Sequence, residues 1–275
     1  MKPLEGRTAW ITGGATGVGR RTAQRLASDG ARVAISGRRA DELEQAAAQL
    51  RAEGFEVQAF PLDVADAQAS AATAQAIAQQ MGPVDVLVCS AGLNVRQRYW
   101  KDLSALDFAK VVRVNLEGVA NCVVAVLEGM RERGRGTIVV VSSWAGRHYL
   151  PFAGAAYNAS KQGLAGLVDS LNYENGRYGV RACAIEPGEI ATPILLTRPV
   201  PPSAQEMARM LRADDVAEAV GWVVGLPAHV CVNELLLSPT WNRIHLGGED
   251  LQMPGELPVQ MPGAVSGAVP GAVSG

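Results

Sequence analysis

Short apolar runs alternate with helix-forming stretches along most of the chain, and this alternation restricts the fold more than any other feature. Residues 84–89 (VDVLVC) and 136–141 (GTIVVV) are apolar almost throughout, as expected of strands covered on both faces. Residues 7–11, 31–36, 55–61, 180–185 and 232–237 read as further strands. Helices are expected at about 17–29, with Gly30 as the C-terminal stop, and at 41–53 and 66–81. Another long helix is expected over 106–131, then one over 156–178 and a weaker helical region over 204–224. Such β–α alternation implies one parallel sheet with helices on both faces and right-handed crossovers, a doubly wound α/β fold.

After about Leu246 the character changes. Met253-Pro254-Gly255 recurs as Met261-Pro262-Gly263, and Gly263, Gly267, Gly271 and Gly275 fall in a four-residue register. Sequence of this kind builds no core of its own. Residues 1–246 are therefore read as the working domain. Residues 247–275 are read as a flexible tail, or an arm packing on a neighbouring subunit.

Charge and composition exclude several classes of function. Hydrophobic residues make up 48% and charged residues 19%, with a net charge of -2, so the chain has no electrostatic footprint for nucleic acid or an anionic membrane. The most apolar long stretch, residues 108–127, is interrupted by Lys110, Arg113 and Glu117, and no signal-peptide core stands at the start. Cys89, Cys122, Cys183 and Cys231 sit far apart in apolar runs and read as buried hydrophobes of a reducing cytoplasm. His148, His229 and His245 are equally scattered, so no metal site is expected.

Two local patterns carry chemistry. Tyr157 and Lys161 are four apart and share one helix face. A phenol beside an ammonium is expected to have its pKa lowered toward the range of an acid–base catalyst. The second pattern, Thr12-Gly13-Gly14-Ala15-Thr16-Gly17-Val18-Gly19, lies between a strand and a helix, where a dinucleotide-binding turn belongs. Gly13 permits the sharp exit, Gly17 a close approach to pyrophosphate, and Gly19 close packing of helix and sheet. Free N–H groups at the helix start, around Thr16 and Val18, would face the phosphates.

With its TGxxxGxG spacing and YxxxK pair, the chain resembles the short-chain dehydrogenase/reductase family over roughly residues 4–244. The resemblance implies a seven-stranded Rossmann-like sheet, a nicotinamide cofactor and a homotetramer or homodimer. Residues 36–39 (SGRR) lack the acid that would bind the ribose 2′-hydroxyl of NAD. Arg38, with Arg39 beside it, can pair instead with a 2′-phosphate, which favours NADP(H) over NAD(H). By the same resemblance, Asp63 and Val64 meet the adenine, and Ser90-Ala91-Gly92 lies over the ribose, with Ser90 where the family usually has Asn. Pro187, Gly188, Ile190 and Thr192 form the turn that meets the nicotinamide carboxamide.

The resemblance also assigns the catalytic set. Asn115, an unfavourable residue in mid-helix, would open the helix and hold a water linked to the lysine. Ser143, fourteen residues before Tyr157, would bond the substrate oxygen, with Ser142 as the alternative. Tyr157 would give or take the proton, and Lys161 would bind the nicotinamide ribose. Substrate would be enclosed by residues 93–100, 147–154 and 193–212, with Trp100, Trp144, His148, Tyr149, Leu150, Phe152, Ile194, Leu195, Leu196 and Met207 as its apolar lining. Arg96, Arg98 and Arg198 can bind a carboxylate or phosphate, although loop arginines are more often solvated. The implied activity is an NADP(H)-dependent carbonyl reductase, reversible as an alcohol dehydrogenase. A 3-oxoacyl-thioester reductase and a 3-hydroxy acid dehydrogenase are alternatives within the class, and a non-catalytic dinucleotide sensor or scaffold is the alternative outside it.

Overall fold

The computed structural model describes residues 2–242, so the Gly/Pro-rich repeats expected to form a tail or arm lie outside the described residues. Seven strands, β1 (Thr8–Thr12), β2 (Arg32–Gly37), β3 (Val57–Pro61), β4 (Val84–Cys89), β5 (Gly136–Val141), β6 (Val180–Pro187) and β7 (Glu234–Leu237), form one sheet in the order β3-β2-β1-β4-β5-β6-β7. Every neighbouring pair is parallel. The order reverses between β1 and β4, and a crevice opens at the C-terminal ends of those two strands.

The pleat sends alternate residues to two cores. Ala9, Ile11, Val86, Val88 and Val139 pack under α1 (Gly17–Ser28), α2 (Ala40–Ala52) and, further along the chain, α8 (Ala213–Gly225). Trp10, Leu87, Cys89, Ile138 and Val140 pack under α3 (Ala67–Met81), α5 (Gly118–Glu132) and α6 (Ala155–Asn175). Burial on both faces is why these strands read as apolar runs. Asp85 is the exception in β4. It is tolerated because its carboxylate accepts from Thr8 N–H at 3.2 Å and pairs with Arg135 at 3.1 Å.

Several boundaries differ from the expected ones. The single helix expected over residues 106–131 is α4 (Ala105–Val112), a π-turn (Arg113–Glu117) and α5. The weak region over 204–224 resolves into α7 (Ala204–Met207) and α8, separated by a bridge between Ile190 and Leu211. Cys89, Cys122 and Cys183 are buried, whereas Cys231 is exposed because it precedes the edge strand β7 rather than lying in the sheet.

Candidate active site

Close backbone approach shapes the crevice. Gly13 has a positive φ of 69°, and a Cβ there would stand 2.9 Å from the Ala91 nitrogen and the Ser90 carbonyl oxygen. A Cβ on Gly19 would collide with the Gly13 carbonyl, so the start of α1 can close onto the turn only with glycine there. Thr12 Oγ1 accepts from the N–H groups of Ser90 and Ala91, both at 3.2 Å. That bond fastens the ends of β1 and β4 side by side, so the shorter Ser90 does not leave them untied.

A cavity of about 570 Å³ fills this crevice. It runs from Gly13, Thr16, Gly17, Val18 and Gly19, past Arg38, Arg39, Asp63 and Val64, to Ser90, Ala91 and Gly92. Pro187, Gly188, Ile190 and Thr192 close its far side, and Ser143, Tyr157 and Lys161 stand along it. All the residues expected to touch a dinucleotide therefore line one space. The glycine cradle and the exposed α1 N-terminus fit a pyrophosphate. Arg39 pairs with Glu42 at 2.9 Å, so Arg38, exposed at the end of β2, is the better placed of the two guanidiniums to meet a phosphate.

Tyr157 and Lys161 lie on one face of α6, with Lys161 Nζ 5.7 Å from the centre of the phenol ring. Nζ donates to the Val141 carbonyl at 2.9 Å. The Ser143 hydroxyl stands beside the Tyr157 phenol, while Ser142 is buried and bonds back to the Lys161 carbonyl at 3.4 Å. Ser143 is thus the serine that meets the tyrosine. The expected fall in the Tyr157 pKa is not seen. Burial raises it, outweighing the opposing effects of the neighbouring Ser143 hydroxyl and the charges of Arg198 and Arg98. Burial also lowers the Lys161 pKa to about 8.

Asn115 does not reach the cavity. It is fully buried in the π-turn, where Oδ1 accepts from Leu93 N–H at 2.9 Å and Nδ2 donates to Leu93 O at 3.0 Å and Ser160 Oγ at 3.2 Å. It lies close behind the lysine, since a Cβ on Gly92 would be 3.6 Å from Asn115 Oδ1 and 3.9 Å from Lys161 Nζ.

The substrate side needs more correction. Leu150, Phe152, Ile194 and Leu195 line the cavity as expected. Trp144 is buried in the structure behind it, and Trp100, Tyr149 and Leu196 point to solvent. His148 and Met207 are likewise absent from the lining. Arg96 is exposed, but Arg98 and Arg198 are not the solvated loop arginines that the sequence favours: both line the cavity. Asn158 is a residue the sequence reading passes over. It accepts from Leu150 N–H at 2.8 Å and donates to Leu150 O and Gly154 O, which fixes the loop before α6. Its signal was a polar side chain at a helix position that faces inward.

The family model for short chain dehydrogenases matches residues 7–199. The chain belongs to the short-chain dehydrogenase/reductase family. It is 35% identical over 229 residues to an acetoacetyl-CoA reductase of Allochromatium vinosum, covering 80% of this chain and 91% of that protein. It is 33% identical over 252 residues to a glycine betaine reductase of Emericella nidulans, covering 86% of this chain but only 19% of that much longer protein. Among solved structures, an alcohol dehydrogenase of the archaeon Thermococcus sibiricus complexed with 5-hydroxy-NADP superposes with a TM-score of 0.77 at 32% identity. That match covers 86% of this chain and 98% of the archaeal one. As a family member, this protein is a nicotinamide-dependent oxidoreductase.

Proposed function

We propose that this enzyme is an NADP(H)-dependent reductase of ketones or aldehydes, reversible as an alcohol dehydrogenase, in which Tyr157 moves the proton. The observation that carries this reading is the meeting of Ser143, Tyr157 and Lys161 in the cavity that the expected cofactor residues line. When bound, the cofactor supplies or takes the hydride. Ser143 is placed to hold the substrate oxygen beside the phenol. Tyr157, kept protonated by burial, gives its proton to that oxygen in the reducing direction. Lys161 holds the ribose side and, with its pKa near 8, can pass a proton on at the pH of the cell. Asn115 keeps Leu93 and the π-turn fixed behind it.

Preference for NADP(H) is supported by Arg38 and by the absence of an acid at the end of β2. The archaeal relative, crystallised with an NADP derivative, is consistent with it. The acetoacetyl-CoA reductase among the relatives keeps a thioester substrate in view as a second reading. Exposed apolar side chains on α4, α5 and α6, among them Leu106, Val124 and Tyr173, support assembly as a homodimer or homotetramer.

Tyr157→Phe tests the mechanism. Turnover should fall by at least about 100-fold, the low end of what a general acid contributes. NADPH affinity, read by fluorescence titration, should change little. Turnover retained in a carbonyl panel followed by NADPH absorbance would sink the proposal.

A further inference from the structure

We propose that Glu186 is a positioning residue for Ser143: neutral, it seats the turn that carries the serine, and ionised, it releases that turn. The inference rests on the carbonyl-reductase reading only for what Ser143 holds, the substrate oxygen.

The Ser143 turn is joined to the last two strands at its start, middle and exit. Ser142 N–H donates to Ile185 O at 2.7 Å, which fixes the start beside Glu186. The middle is a 3₁₀ turn (Trp144–Gly146), buried throughout. Gly146 takes no positive φ, yet an added Cβ would stand 2.6 Å from Glu186 Oε1 and 2.8 Å from Ser142 Oγ. Glycine is required there by the carboxyl and not by the backbone. The exit is Arg147, whose Nε lies 2.7 Å from Glu234 Oε1 on the edge strand β7. Within the turn, Ser143 Oγ accepts from Ala145 N–H at 3.1 Å, and Ser143 O accepts from Gly146 N–H at 2.7 Å. A shift of the turn therefore moves the serine hydroxyl itself.

Charge is balanced here only while one carboxyl keeps its proton. Glu186 is 0% exposed, and neither of its oxygens has a hydrogen-bond partner among the described residues. Glu234 is its neighbouring acid on β7, and the half-exposed Arg147 guanidinium reaches both carboxyls from the turn. From β5 comes the Ser142 hydroxyl. From α6 comes the Lys161 carbonyl, 3.3 Å from the same Gly146 position, while the Lys161 ammonium is engaged at Val141 O. On Glu186's own strand, Cys183 feels both carboxyls. His148 rests on the Trp144 ring, 5.0 Å between centres. One neutral acid beside the Glu234–Arg147 pair leaves this cluster without net charge. A second carboxylate would leave one guanidinium to offset two anions, one of them fully buried. Burial and Glu234 push Glu186 up to about 8, so it gives its proton to solvent as pH rises through that value. The resulting repulsion acts on the seat of Gly146 and the tether at Arg147 together.

Trp144 reports on the turn without any substrate. Tryptophan emission of the wild-type chain should step with a midpoint at about pH 8. The step should be missing from Glu186→Gln, which stays neutral, and from Trp144→Phe. No step in the wild type, or a step of the same size in Glu186→Gln, overturns the proposal. Turnover tests the consequence, with ethyl acetoacetate and cyclohexanone as probes and NADPH as reductant. Lys161 also titrates at about 8, so variants are compared with each other at each pH. The ratio of kcat/KM for Glu186→Gln over wild type should rise at least about tenfold between about pH 6.5 and about pH 9.5, since losing one donor to a developing oxyanion costs about 100-fold or more. With Ser143→Ala in both chains the ratio should stay flat, because no serine hydroxyl is left to misplace. A flat ratio in the first pair, or an equal rise in the second, overturns the positioning role. The emission step without turnover of either probe upholds the seat of the turn and removes the reductase reading instead.

Discussion

Burial sets proton affinity at three polar side chains close to the reaction centre, and in each it favours the neutral form. Tyr157 is raised, Lys161 is lowered to about 8, and Glu186 at the end of β6 is pushed up to about 8, by burial first and then by the neighbouring Glu234 carboxyl. Glu186 lies against the segment that carries Ser142, since a Cβ on Gly146 would be 2.6 Å from Glu186 Oε1. The unfolded chain gives up this carboxyl proton near 4.5 and the folded chain near 8, so between those values the folded state binds more protons. Stability should therefore fall as pH rises through that window. Glu186→Gln removes the effect: its melting temperature should exceed the wild type by several degrees at pH 8 and converge with it toward pH 4.5. Parallel pH curves for the two proteins would falsify the assignment. Tyr157 and Lys161 were legible in the sequence because one helical turn joins them. Arg98 and Arg198 were not, because their burial depends on Gly154 and Glu189, and no local spacing reports such contacts.

The α4–π–α5 segment shows how an element absorbs an unfavourable residue. A mid-helix Asn invites competition with the backbone, and here the helix widens into a π-turn around Asn115 instead of continuing regularly. The side chain then grips both backbone groups of Leu93, which holds the loop leaving β4 against the helix that ends behind Lys161. Asn115→Ala leaves the Leu93 N–H and C=O without these partners, at a cost of about 2–3 kcal/mol. The melting temperature should drop by about 4–12 °C, from the 2–4 °C per kcal/mol typical of chains near this length. A variant as stable as wild type would show that the clamp contributes nothing. Elements read well from sequence where periodicity was strong, as in β4, β5 and α6. They read poorly around the substrate, where Trp144 turned inward and Trp100 outward. Those loops take their conformation from distant docking, such as Asn94 Nδ2 on Ala153 O at 2.8 Å and Asn158 on Leu150.

At the scale of the molecule, the strand order β3-β2-β1-β4-β5-β6-β7 decides where a dinucleotide can lie. The α/β alternation made the parallel sheet legible. The reversal between β1 and β4 follows from pairing, and the pairing came into view only through the family resemblance. Because the cavity takes residues from the ends of β1, β2, β4, β5 and β6, a bound dinucleotide ties both halves of the sheet together. Its binding to the folded state alone should stabilise the whole chain, by about 2.7 kcal/mol at 100 times Kd. That corresponds to a rise of about 5–11 °C in melting temperature for a chain of this size. The same measurement isolates Arg38 without requiring a known substrate. Arg38→Asp exchanges an exposed cation for an anion facing the 2′-phosphate, which should weaken NADP⁺ by at least about tenfold. At the same NADP⁺ concentration the melting shift should then shrink to about half, since tenfold weaker binding removes about 1.4 kcal/mol. The shift with NAD⁺ should hold or grow, because an Asp at the end of β2 can accept from a ribose 2′-hydroxyl. Equal losses with both nucleotides would place Arg38 outside phosphate recognition and leave the NADP(H) preference without its main support.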